Sequence, residues 1–254
     1  MDIILYNILV AIIVAIIGYV FGSIPNGIWI GKIFFHKDPR DYGSGNPGGT
    51  NVGRLFGKKI GVLVIWLDGL KVAVPLYVCW AILTYVPMRN GLPLMPEVQT
   101  KYYGDPSAYL IQWPVYFLTL VGCSFGHCWP LFSGFKGGKN VSSFIGFTCF
   151  ASWMLGFFPA FFYFAVLKWK KMVSLASIIT SWFLTLLAWI WAVLMLTNVV
   201  NGWVNWLPAY GPIFEYGYVY ASVLTFAATI LTLRHHENIK RIKAGTERKI
   251  TWMK

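Results

Sequence analysis

Apolar residues dominate positions 3–35, 60–86, 109–128, 141–167, 172–196 and 216–233, and polar residues gather in short segments between them. About 20 consecutive apolar residues suffice for a helix to cross roughly 30 Å of hydrocarbon, and a helix satisfies its own backbone there. The pattern predicts an all-α polytopic membrane protein with about seven transmembrane helices. Five of the runs read as single crossings. The run 141–167 contains Gly156 and Pro159 and predicts two short or tilted crossings, about 141–154 and 157–168. The first run has neither a basic start nor a small-residue cleavage site, so it reads as a retained helix rather than a signal peptide. Residues 1–254 read as a single membrane domain. No internal repeat supports a symmetric transporter built from inverted halves.

Composition agrees with this reading, and charge orients it. Of 254 residues, 57% are hydrophobic and 12% charged, whereas soluble domains carry about 25% charged residues. The net charge of +12 would suit nucleic acid if it were spread over a surface, but it falls in four clusters between apolar runs. These are segment 32–59, the pair Lys136 and Lys139, residues 168–171, and the tail from Arg234. Placing all four in the cytoplasm follows the positive-inside rule and excludes nucleic acid as the partner. The N-terminus is then outside and the C-terminus cytoplasmic, as expected in a bacterial inner membrane. Segments 87–108 and 197–215 become outer loops rich in Pro, Gly, Trp and Tyr. The four cysteines lie in apolar surroundings without a CxxC pair. Cys123, His127 and Cys128 lack a second cluster that would complete a zinc site, so no metal and no disulfide is expected.

This topology brings three unusual polar stretches to one face. The first, residues 43–54, reads GSGNPGGTNVGR. Its glycines let backbone N–H groups approach an anion, Ser44, Asn46, Thr50 and Asn51 add donors, and Arg54 offers a planar fork suited to phosphate. It is preceded by Gly22-Ser23-Ile24-Pro25-Asn26-Gly27, which reads equally as a packing kink or as backbone lining a cavity. The second stretch places Gly137, Gly138 and Lys139 before a helix N-terminus, a plausible anion cradle but not a Walker loop. In the third, His235 and Asn238 are three apart and share a helix face, so an amide could orient an imidazole that acts on a hydroxyl. Asp68 and Lys71 stand inside an apolar run, where lone charges are costly. They are expected to pair or to face a polar pocket.

Taken together, the stretches GSIPNGIWIGK, GSGNPGGTNVGR, DGLK, GHCWPLFSGFKGGK and RHHENIKRIKAGTE resemble the bacterial membrane acyl-phosphate:glycerol-3-phosphate acyltransferase family. The sequence departs from the family where Asn140, Ser142 and Ser143 follow Gly-Gly-Lys in place of Gly-Val-Ala-Thr, and where Val72 follows Lys71 in place of glycine. The resemblance implies transfer of a fatty acyl group from a long-chain acyl phosphate to the 1-hydroxyl of glycerol 3-phosphate in membrane lipid, without a cofactor. It also implies a functional link to an enzyme that makes acyl phosphate. By the same resemblance Ser44, Arg54, His235 and Asn238 are catalytic, and Asn46, Thr50, Gly137, Gly138, Lys139 and Lys71 bind substrate. Glu247 and Asp68 are structural. The general base stays open between His235 and the substrate phosphate. An anion transporter or a catalytically weak scaffold remains the alternative.

Overall fold

The computed structural model describes residues 3–89, 92–93, 114–197 and 217–250. Ten helices order them: α1 (Ile3–Gly22), α2 (Asn26–Phe35), α3 (Gly49–Phe56), α4 (Lys58–Tyr85), α5 (Leu118–Cys128), α6 (Val141–Ala151), α7 (Trp153–Lys170), α8 (Val173–Leu196), α9 (Gly217–Arg234) and α10 (His236–Lys243). Five segments, Ile4–Phe35, Lys58–Tyr85, Val115–Ser133, Val173–Leu194 and Gly217–Arg234, are long and apolar enough to cross a membrane. Among the described residues, strand appears only in the short pairing of Pro87–Arg89 with Leu92–Pro93. Most of the two expected outer loops, 94–108 and 198–215, lies outside the described residues, as do 109–113.

Lipid offers helices no hydrophobic incentive to associate, so close backbone approach has to supply the attraction. Gly18 and Gly22 on α1 meet Gly122 and Gly126 on α5. A Cβ on Gly122 would stand 1.8 Å from the carbonyl oxygen of Ala15, and one on Gly18 2.3 Å from that of Thr119. α4 and α6 touch in the same manner through Gly69 and Gly146. Around these contacts lies an aromatic centre of Tyr116, Phe117, Phe147 and Tyr220, all fully buried. The outward face of α1, including Ile8, Ile12 and Ile16, stays exposed, as a lipid-facing surface should.

Two boundaries differ from expectation. The first apolar run is not one helix: it breaks at Ser23–Pro25 into α1 and α2. The run 141–167 does divide in two, but at Ser152 rather than near Gly156. The Ser152 hydroxyl accepts the N–H of Leu155 at 3.3 Å and caps α7. Gly156 and Pro159 lie inside α7, and Gly156 serves close packing, since a Cβ there would fall 2.5 Å from Cα of Cys149.

The intramembrane charges do pair. Lys71 Nζ lies 3.1 Å from Asp68 Oδ1, with the two side chains only 4% and 3% exposed. Asn26 donates to Asp68 at 3.0 Å, and Lys71 donates to the carbonyl of Ile24 at 3.2 Å. The pair therefore ties the α1–α2 break to α4, and it holds that break next to the polar loops.

Candidate active site

The first polar stretch folds as a tight loop leading into α3. Gly43 and Gly45 take φ of +63° and +68°, a region that disfavours side chains. Asn51 organises the loop from within. Its Oδ1 accepts the Ser44 N–H at 3.0 Å, and its amide donates to the carbonyls of Pro39 at 2.9 Å and Tyr42 at 3.1 Å. Asn51 is thus a buried bracket rather than the anion donor the sequence suggested. Asn46 spends its oxygen on the N–H of Gly48 at 2.8 Å. Thr50 and Arg54, four apart on α3, share a face and are exposed to a cavity with Ser44.

The second stretch turns on His127. The N–H of Gly138 donates to the His127 carbonyl at 2.9 Å, and that of Gly137 to the Cys128 carbonyl at 3.2 Å. Arg234 caps the turn by donating to the carbonyls of Gly137 and Gly138 at 3.3 and 3.2 Å. The anion-cradling amides expected at Gly137 and Gly138 are therefore committed to the loop itself. The two glycines are required by contact instead: a Cβ on Gly138 would lie 2.0 Å from Nε2 of His127. Gly138→Ala is expected to lower the thermal midpoint in detergent by several degrees, and His127→Ala in the same chain to restore much of it. A melting series on the two single variants and the double variant checks this.

What this turn presents to the cavity is Lys139 and the start of α6, whose first turn has no side-chain cap. Asn140 sits at φ +65°, where glycine is the usual occupant, and is fully buried. Its amide donates to the Ser124 hydroxyl at 2.8 Å, which explains how asparagine is accommodated.

The third stretch closes the site. Lys139 donates to Oδ1 of Asn238, Asn238 donates to Glu247 at 2.7 Å, and Glu247 also receives Ser174 at 2.7 Å and Arg241 at 2.8 Å. Burial alone would raise the Glu247 pKa, but hydrogen bonds from Ser174, Asn238 and Arg241 outweigh it and hold the carboxyl below its usual range. Burial, and then Arg241, lower the pKa of Lys139. Nδ1 of His235 donates to the Leu231 carbonyl at 2.8 Å, which leaves Nε2 as the acceptor. Burial drives the His235 pKa down to about 4, so the ring is neutral near pH 7.

Ser44, Asn46, Thr50, Arg54, Lys139, His235, Asn238 and Glu247 all line a single cavity of about 530 Å3. Lys71, Asp68, Gly137 and Gly138 do not. They border a separate cavity of about 20 Å3, with His127 touching both, and there Lys71 is paired with Asp68. Sequence reasoning missed Arg241, Arg248 and Ser174, which also line the large cavity. The spacing gives no cue to them; the only hint is excess positive charge in the tail. Arg54, Lys139, Arg241 and Arg248 face one carboxylate, Glu247, which makes this end of the cavity a site for anions. The rest of the lining is largely apolar and comes from α4, α6, α7 and α8, with Ile65, Ile145, Ala160, Tyr163 and Phe164 among it. The arrangement suits an amphipathic reactant with an anionic head and an apolar tail.

A family model described as glycerol-3-phosphate acyltransferase matches residues 12–245. A protein of that name from Enterococcus faecalis is 34% identical over 251 residues, covering 95% of this chain and 92% of its own length. One from Listeria monocytogenes is 31% identical over 242 residues, with 95% and 98% covered. Among solved structures, PlsY, an integral membrane glycerol 3-phosphate acyltransferase, in its glycerol 3-phosphate form aligns over 95% of this chain and 96% of its own, with TM-score 0.65 and 29% identity. Its lysophosphatidic acid form gives TM-score 0.64 at 28% identity, with 95% of each chain covered.

Proposed function

The chain belongs to the glycerol-3-phosphate acyltransferase family and is an acyltransferase that converts glycerol 3-phosphate to lysophosphatidic acid, and from that premise we propose that its donor is a long-chain acyl phosphate and its acceptor the 1-hydroxyl. One observation carries the reading: residues from three distant stretches, among them Arg54, Lys139 and His235, line one cavity with a cationic end and an apolar end. Two phosphate-bearing reactants then share the cationic end, held in a near-attack arrangement, while the acyl tail lies among α4, α6, α7 and α8.

Arg54 grips a phosphate bidentately, Lys139 and the uncapped start of α6 take the second anionic group, and Ser44 and Thr50 donate hydrogen bonds. Asn238 positions Lys139, and Glu247 holds Asn238 in place. The 1-hydroxyl oxygen attacks the acyl carbonyl carbon. The bond from that carbon to the phosphate oxygen breaks, and its electron pair leaves with phosphate. Nε2 of His235 accepts the hydrogen bond of the attacking hydroxyl and aims it. With a pKa near 4, His235 is a weaker base than a phosphate whose pKa is about 6, so the proton ends on the departing phosphate. The ratio of wild-type to His235→Asn rates is therefore expected to stay flat from pH 5.5 to 8. A ratio that falls below pH 6.5 would show that His235 protonates at its ordinary value.

The basic clusters support seven crossings of a bacterial inner membrane, with the N-terminus outside, the site on the cytoplasmic face and the whole chain serving as one domain. A soluble enzyme that makes acyl phosphate would supply the donor. The deciding experiment gives purified protein labelled glycerol 3-phosphate with either palmitoyl phosphate or palmitoyl-CoA. Palmitoyl phosphate should yield equal amounts of lysophosphatidic acid and inorganic phosphate, and palmitoyl-CoA none. Comparable turnover of the thioester would overturn the donor assignment.

A further inference from the structure

Beyond α10, residues 244–250 run back over the turn between α7 and α8, and two anchors hold them there. Glu247 receives Ser174, Asn238 and Arg241. Three residues on, the N–H of Ile250 donates to the Lys171 carbonyl at 2.7 Å, and its side chain, 7% exposed, packs with Val166, Leu167 and Ala176. Arg248 stands between these anchors. Its backbone is fixed from both sides, while its side chain is exposed and lines the large cavity. One N–H of its guanidinium reaches the Gly43 carbonyl at 3.5 Å, the outer edge of hydrogen-bonding distance. Gly43 and Ser44 are themselves exposed and line the same cavity, so Arg248 bridges its polar mouth from the tail to the loop that leads into α3.

Commitment separates the four cations that line this cavity. Lys139 donates to Asn238, and Arg241 to Glu247. Arg54 has no acceptor among the described residues, and Arg248 has only the distant carbonyl of Gly43. Two guanidiniums are therefore free for a ligand. One comes from α3 and the other from the tail that touches the α3 loop. A phosphate monoester carries close to two negative charges at pH 7 and three terminal oxygens, enough for two forks at once. Of the two reactants, the water-soluble one meets an exposed polar mouth first. An acyl phosphate brings an apolar tail, which belongs against the lining from α6, the helix whose uncapped start faces the cavity beside Lys139.

Resting on the glycerol 3-phosphate reading above but not on the donor assignment, we infer that Arg248 binds the phosphate of glycerol 3-phosphate from the side opposite Arg54, and that Ile250 positions Arg248 for it. Rates with palmitoyl phosphate are compared for wild type, Arg248→Ala, Arg248→Lys, Ile250→Ala and the double variant with both alanines. Arg248→Ala should raise KM for glycerol 3-phosphate about tenfold and leave KM for palmitoyl phosphate within about twofold, because a group that holds only one reactant weakens only that one. Arg248→Lys should recover part of the loss, since an ammonium keeps the charge without the fork. Ile250→Ala should raise the same KM, and should add little once Arg248 is already alanine. An unchanged KM for glycerol 3-phosphate in Arg248→Ala, or equal rises for both reactants, overturns the role of Arg248. Full additivity of the two alanine substitutions overturns the role of Ile250. Titration calorimetry with glycerol 3-phosphate alone needs no turnover: its Kd should rise about tenfold in Arg248→Ala, and an unchanged Kd counts against the inference. Wild type that binds glycerol 3-phosphate but transfers no acyl group would sink the donor assignment and leave calorimetry to judge Arg248.

Discussion

Replacing Arg54 with alanine is expected to lower kcat/KM for glycerol 3-phosphate by about a hundred- to a thousandfold while leaving the protein folded. Arg54 projects from α3 into the cationic end of the large cavity, and its side chain engages no acceptor among the described residues. Nothing in the fold therefore depends on it, and its guanidinium is free for a ligand. Removing a charged donor aimed at a reacting phosphate typically costs about 3–4 kcal/mol of transition-state stabilisation. An exposed substitution of this kind should move the thermal midpoint by no more than about 2 °C. Arg54→Lys should recover only part of the rate, because an ammonium is a point charge and cannot match a phosphate with two parallel bonds. Paired kinetics and melting on the three proteins check this. A folded Arg54→Ala protein with near-normal turnover would remove Arg54 from the site.

Helices and charge placement were legible in the sequence for a simple reason: a membrane constrains composition directly, residue by residue. Long apolar runs marked α1, α4, α5, α8 and α9, and the three polar stretches announced their common face through basic clusters. What each polar residue does within the site was less legible, because that depends on partners distant in sequence. Asn51 and the Gly137–Gly138 amides look like anion donors in one dimension, yet their bonds go to Pro39, Tyr42, His127 and Cys128. The break at Ser152 escaped notice because a serine cap is a weaker signal than the glycine and proline that follow it, and both of these fit inside α7. The apolar wall was invisible for another reason. Ile145, Ala160 and Phe164 have the same composition whether they face lipid, a helix or a substrate tail.

Lys71 offers the sharpest separation between holding the fold and holding the substrate. Asp68→Ala would leave its ammonium 4% exposed without a counter-ion and would strip Asn26 of its acceptor. Breaking a buried pair from one side costs about 3–5 kcal/mol, so the midpoint in detergent should fall on the order of 10 °C, and Lys71→Met alone should do comparable harm. The double variant Asp68→Ala with Lys71→Met removes both charges together, and buried pairs replaced by apolar groups are often no less stable. Most of the lost midpoint should therefore return. The double variant should also keep acyl transfer within a few-fold of wild type, because Lys71 borders the small cavity and not the one that holds Arg54, Lys139 and His235. A double variant that melts normally but transfers nothing would return Lys71 to the substrate. One that neither folds nor melts cooperatively would mean that the tie between Ile24 and α4 needs the ammonium itself, since Lys71 is also the donor to that carbonyl.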